Sequence, residues 1–161
     1  MREPVETLIP LTRASLYRAA LAICRDRQEA ENVVQETYWA YCRSSRQFNS
    51  LEHIHAWLLR VAINRAKDYC RSAWRKHHAS LDELTKTIPF EEQADQGVFQ
   101  AVLRLPTAQR AVIYLYYYED RSVQEVARIL RMRENTVKSH LRRGRQALKN
   151  SLQEEWENDE P

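Results

Sequence analysis

Five basic residues, Lys138, Arg142, Arg143, Arg145 and Lys149, crowd into twelve positions near the end of the chain. Fixed cations at such density suit one chemistry above others. They neutralise phosphates and displace condensed counterions from a nucleic acid, and an arginine among them can pair with the edge of a guanine. Just ahead stand Glu134, Asn135, Thr136 and Ser139, which offer short polar groups and, at a helix start, free backbone N–H groups to phosphate. Arg133 and His140 flank the same segment. A second basic block spans residues 60–76, with six Lys or Arg and one acid, Asp68. Each block is followed by an acidic stretch, 82–95 and 154–160. The net charge of +3 is therefore small because basic and acidic segments cancel, not because charge is scarce.

Other chemistries find little support. Cys24, Cys42 and Cys70 are three, widely spaced and without a CxxC pair. They read as reduced thiols, and neither His53/His55 nor His77/His78 has a third ligand nearby, so no metal and no cofactor are expected. No Walker loop, paired-carboxylate site or nucleophile–base pair is present, which argues against an enzyme. No apolar run approaches the ~18–20 residues of a membrane span. The first residues, MREPVETLIP, lack the apolar core of a signal peptide. A cytoplasmic protein without membrane insertion is expected.

Positioning the charges requires helices. With two glycines in 161 residues and long stretches of Ala, Leu, Arg, Glu and Gln, the composition predicts an all-α protein. The first helix carries Leu16, Ala19, Ala20, Ile23 and Cys24 at helical spacing, and 25–27 breaks the pattern. A second helix is expected over 28–43, burying Val33, Val34, Thr37, Tyr38 and Tyr41. A third is expected over 53–75, with Leu58, Ala62, Ala66, Tyr69 and Ala73 inward, widened by Leu59, Ile63 and Cys70. Its other face bears Arg60, Asn64, Lys67, Arg71 and Arg75. Apolar periodicity is lost from residue 76 to Gly97. The expected plan is two small helical domains, 8–78 and 98–152, joined by a flexible linker, 79–97, with an acidic tail at 153–161.

The second domain reads as a short helix ending before Pro106, then a helix with Ala111, Val112, Leu115 and Tyr116 inward. Ser122 and Glu125 form a capping box for a third, with Val126, Ala127, Ile129 and Leu130 buried. A turn at 131–135 leads to a basic helix over 136–150, whose buried stripe is Val137, Leu141 and Leu148. Two helices joined by a short turn, the second basic, make the helix-turn-helix geometry that enters a DNA major groove.

The run LPTAQRAVIYLYYYEDRSVQEVARILRMRENTVKSHLRRGRQAL resembles the C-terminal domain of extracytoplasmic-function sigma factors. AENVVQETYWAYCR is similar to that family's polymerase-gripping segment, and HAWLLRVAINRAKDYCRS to the helix that reads and opens the promoter −10 element. The resemblance implies a sigma factor that binds core RNA polymerase and directs promoter-specific initiation. It implies that Glu31, Gln35 and Glu36 meet the polymerase. It assigns the −10 element to Asn49, Ser50, Glu52, His53, His55, Arg60, Asn64, Lys67, Arg71 and Arg75, where unstacked bases need polar edges and a cationic track. The −35 element falls to Arg133, Asn135, Thr136, Lys138, Ser139, His140, Arg142, Arg143 and Arg145. An anti-sigma factor, often membrane-bound in this family, is a further implied partner. Departures from the family pattern cluster at Arg131 and Asn135, where glycine is usual, at Arg133 and His140, and at Gly144, usually alanine; Asn32 replaces an aspartate. The competing reading is a stand-alone helix-turn-helix regulator that binds a duplex operator, against which the two-domain layout and the first basic helix argue.

Overall fold

The computed structural model describes residues 1–73 and 96–159, apart from the side chains of 72–73, 96 and 154–159. All regular structure among them is helical. The chain divides into two compact units, Met1–His78 and Ala79–Pro161.

In the first unit, α1 (Val5–Cys24), α2 (Arg27–Arg43) and α3 (Leu51–Ala73) pack pairwise around one core. The core takes Leu16, Ala19, Ala20 and Ile23 from α1, Val33, Val34 and Tyr41 from α2, and Leu58, Leu59, Ala62, Ile63 and Ala66 from α3. Small residues on α1 let the other helices approach closely. Each junction has a local cause. Arg25 ends α1 in the left-handed conformation, its N–H bonding Leu21 O at 2.9 Å. Asp26 then caps α2 by accepting from Glu29 N–H at 3.1 Å, while its other oxygen accepts from the Tyr69 hydroxyl of α3 at 3.0 Å. One carboxylate thus ties the start of α2 to α3. Ser50 caps α3 through His53 N–H at 3.1 Å, so α3 begins two residues earlier than its apolar periodicity indicates.

The second unit contains α4 (Gln96–Leu103), α5 (Thr107–Ile113), α6 (Val123–Leu130) and α7 (Glu134–Asp159). Tyr114–Tyr118 continues α5 as a π-helical turn. Helices α4, α5 and α6 all pack on α7. Arg110 is buried, and its guanidinium donates to Leu103 O at 3.2 Å and Leu105 O at 3.1 Å, satisfying carbonyls where α4 ends. Ser122 caps α6 by accepting from Glu125 N–H at 3.1 Å. The Glu125 carboxylate takes the Ser122 hydroxyl at 3.3 Å and pairs with Arg121 at 3.1 Å.

The basic helix departs from expectation as well: it is longer than 136–150, starting at Glu134 and running through the expected tail to Asp159. The first turn forms on the Arg133 carbonyl, which accepts from Val137 N–H at 3.1 Å, so the connecting turn shrinks to residues 131–133. Of the linker expected over 79–97, residues 79–95 lie outside the described residues, and Gln96 and Gly97 already belong to α4.

Candidate nucleic-acid interface

Helix α7 meets the unit's core through Val137, Leu141 and the glycine face at Gly144. A Cβ on Gly144 would lie 2.8 Å from Ile113 Cγ1 and 3.0 Å from its Cδ1. The glycine therefore sets how closely α7 approaches α5. Away from that contact, Lys138, Arg142, Arg145 and Lys149 follow at i, i+4, i+7 and i+11, an exposed cationic ridge. Asn135, Thr136, Arg133 and Arg143 are exposed as well, and Ser139 and His140 are half-buried. Ring nitrogen Nδ1 of His140 is buried and has no hydrogen-bond partner among the described residues.

Arg145 is held. Its Nε donates to the Tyr117 hydroxyl at 2.5 Å, and its guanidinium lies 5.6 Å from the ring centres of both Tyr116 and Tyr117. The bond to Tyr117 raises the arginine's pKa above its ordinary value. Tyr117 is half exposed at the edge of the ridge. The sequence flags a tyrosine-rich helix but not which ring turns outward. The π-turn changes the angular step per residue, so an α-helical wheel places 116–118 wrongly.

The connection into α7 keeps the helix-turn-helix short. Arg131 takes the left-handed conformation, φ 55° and ψ 47°, and Met132 N–H bonds Ala127 O at 2.9 Å. Arginine thus occupies the positive-φ position that favours glycine.

On α3, Arg60, Asn64, Lys67 and Arg71 repeat the i, i+4, i+7, i+11 spacing. Asn64 and Arg71 are exposed, Arg60 and Lys67 half-buried. Burial, and then the neighbouring Arg71, lower the Lys67 pKa, so an incoming phosphate would relieve an unfavourable charge. Asp68 pairs with Arg71 at 3.8 Å. Arg75 lies outside the described residues. Ahead of the helix, Asn49, Ser50 and Glu52 are exposed. His53 is half-buried; its Nδ1 accepts from Asn49 N–H at 3.1 Å and its ring packs edge-on against Phe48. His55 faces inward instead, its Nε2 2.7 Å from the hydroxyl of Ser15 on α1. Trp57 packs edge-on against Tyr41 and Phe48, which places it in the aromatic cluster beneath the loop.

On α2, Gln35 and Glu36 are exposed and Glu31 half-buried. Glu31 pairs with Arg13 and Glu36 with Arg65, each at 3.1 Å. Trp39, one turn beyond Gln35, is 64% exposed. Composition gives no reason to expect an exposed Trp there; its position off the buried stripe of α2 is the signal. Among the described residues no group of three His, Cys, Asp or Glu side chains could hold a metal, and no helix is long and apolar enough to cross a membrane.

Two helical units, each with a cationic ridge and the second with a helix-turn-helix, define a DNA-binding protein of transcription. Comparison with known proteins narrows the class. The Sigma-70 region 2 model matches residues 9–76 and the Sigma-70 region 4 model residues 96–148. The chain belongs to the sigma-70 family, in its extracytoplasmic-function group, and is a sigma factor directing transcription. It is 29% identical over 166 residues to the ECF RNA polymerase sigma factor SigM of Bacillus subtilis, covering 97% of this chain and 99% of the relative. It is 27% identical to SigX of the same organism, covering 99% and 91%. Among solved structures, its fold matches the sigma factor RpoE from Bartonella quintana, solved in complex with the anti-sigma factor NepR. The TM-score is 0.71 at 22% identity, over 92% of this chain and 96% of that one.

Proposed function

We propose that the two cationic ridges divide promoter recognition between the two units. The observation that carries this reading is their equal spacing: Arg60, Asn64, Lys67 and Arg71 on α3, and Lys138, Arg142, Arg145 and Lys149 on α7. Each ridge leads from a start rich in short polar groups. The loop and first turn of α3, with Asn49, Ser50, Glu52 and His53, receive unstacked bases of the −10 element, and the ridge tracks the phosphates behind them. His55 supports this surface from within through Ser15. The start of α7, with Arg133, Asn135, Thr136 and Ser139, reads the −35 duplex, while Lys138, His140, Arg142, Arg143 and Arg145 face its groove and backbone.

Core RNA polymerase docks on the exposed edge of α2 at Glu31, Gln35 and Glu36, an acid- and amide-bearing surface suited to a basic helix. An anti-sigma factor, the kind of partner bound to the Bartonella quintana protein, is a further partner, and the cytoplasm is the working compartment. The domains act as proposed units over 8–78 and 98–152, with 79–97 between them.

The test is reconstituted transcription. Core polymerase plus this chain is expected to give run-off transcripts from selected promoters, and neither component alone should. Lys138→Ala and Arg142→Ala should each lower the salt slope of −35 duplex binding by about one. Failure of the purified chain to bind core polymerase would overturn the reading.

A further inference from the structure

The segment before α1 is strapped across the loop between α2 and α3. The Arg2 guanidinium donates to Arg46 O at 3.1 Å and also to Tyr41 O, and it lies 4.3 Å from the centre of the Tyr41 ring. The Tyr41 hydroxyl returns a bond to Glu3 O at 2.5 Å. Phe48 N–H donates to Met1 O at 3.0 Å. Beneath the strap, the Tyr41 and Phe48 rings are buried and lie nearly parallel, 5.9 Å apart.

The loop needs such an anchor. Ser45, Arg46, Gln47, Asn49 and Ser50 are exposed. Its internal bonds are short-range, as in Arg46 N–H to Ser44 Oγ at 3.1 Å and Asn49 N–H to His53 Nδ1. Among the described residues, the backbone bonds that leave the loop and its two helices run to the strap, at Arg46 O and at Phe48. A loop held at one buried ring would sample many conformations, and ordering them on binding would weaken capture of a base. Three strap bonds, one to Arg46 O and two at Phe48, whose carbonyl also accepts from the Met1 ammonium at 2.7 Å, limit that freedom before DNA arrives.

We propose that Arg2 is a positioning residue for promoter opening: through Arg46 and Tyr41 it holds the α2–α3 loop in the shape that receives an unstacked base of the −10 strand. This rests on the −10 assignment above. Arg2 bonds to Arg46 and Tyr41 and not to Glu31, Gln35 or Glu36 on the polymerase edge of α2, so its loss should separate opening from docking.

The experiment uses holoenzyme made from core polymerase and the full chain. The probe is a promoter that the wild-type holoenzyme transcribes, with permanganate reactivity of −10 thymines reporting opening. Arg2→Ala is expected to lower the open fraction about tenfold, the scale of one or two lost hydrogen bonds. Core binding and −35 duplex binding should stay within about twofold. Arg2→Lys, with one donor head in place of a fork, should fall between. A merely structural role would lower core binding, −35 binding and opening together, and that result overturns the proposal. So does an Arg2→Ala holoenzyme that opens like wild type. Should Arg2→Ala lose helical circular dichroism, Tyr41→Phe decides by the same criteria, since it removes the bond to Glu3 O and keeps the ring. Wild-type holoenzyme that transcribes without −10 opening would sink the −10 assignment itself, a different failure from loss of the strap alone.

Discussion

Arg131 shows how one residue serves two opposed demands. The exposed side chain adds charge beside the recognition helix, and its backbone is left-handed at φ 55°. That conformation costs a non-glycine residue roughly 1–2 kcal/mol, partly offset because glycine gives the unfolded chain more freedom. Arg131→Gly is expected to stabilise the second unit by about 1 kcal/mol, seen as a higher urea midpoint at unchanged slope. An unchanged or lower midpoint would mean that the side chain contributes as much as the backbone strain costs. The sequence exposes this site because arginine stands where the family usually has glycine, but only the backbone shows that the turn keeps its hand. Cys24 carries a second residue-scale expectation. Burial pushes its thiol pKa from an ordinary 9.0 up to about 12. Below pH 9 both folded and unfolded chains hold the proton, so the folded-state advantage is complete there. Above it the unfolded thiol ionises first, and stability falls as pH climbs from 9 towards 12, by up to about 1.4 kcal/mol per pH unit from this group. Tyr69, raised by burial and by its bond to Asp26, acts in the same direction. Denaturation midpoints of the wild type and Cys24→Ala against pH check this: the mutant should lose stability less steeply. At neutral pH a thiol reagent should label exposed Cys42 well before Cys24.

At the scale of elements, α7 approaches α5 closely at Gly144. Read from sequence, Gly144 is a defect, since glycine inside a helix costs about 1 kcal/mol against alanine. In the structure it faces Ile113 Cγ1 at 2.8 Å from where a Cβ would lie. Ile113 is itself buried, so the clash cannot be relieved towards solvent. Gly144→Ala should therefore destabilise by about 1 kcal/mol or more in spite of better helix propensity. The double mutant Gly144→Ala/Ile113→Ala should be less destabilised than the sum of its singles, a coupling of about 1 kcal/mol in a denaturation cycle. Additive singles would refute the packing account. The same helix shows where periodicity succeeds and fails. Its buried Val137 and Leu141 and its exposed ridge follow the 3.6-residue period. Its start and its length do not, because the Arg133 carbonyl sets the one and no breaker stops the other before Asp159.

At the scale of the whole molecule, the proposed division of promoter recognition makes function depend on two modest binding surfaces acting on one promoter. Linking them makes the second contact intramolecular, so affinity rises without new contacts. Residues 1–78 alone are expected to bind core polymerase, and the polymerase so loaded should need far more DNA to reach half-saturation than the full holoenzyme. Raising the salt should narrow that gap, because the full chain neutralises more phosphates and its affinity falls more steeply with salt. Titrating a fluorescent promoter fragment against both complexes checks this; equal midpoints would show that the second unit adds nothing to promoter affinity.

Much of this protein was determined by sequence alone. The all-α class follows from glycine scarcity and helix-forming composition. The buried stripes of α1, α2, α3 and α6 follow from apolar spacing, and the cationic ridges follow from charges recurring on one face. These are local regularities, and a helix reports them at every turn. Only the tertiary structure decided the rest. It turned His55 inward onto Ser15, bound Arg145 to Tyr117, made Gly144 a packing residue and drew Arg2 over the loop beside Phe48. Each of these pairs residues 28 to 44 positions apart or joins two helices at a crossing. Such pairs carry no mark in the local period, because they arise only when separate helices share a core.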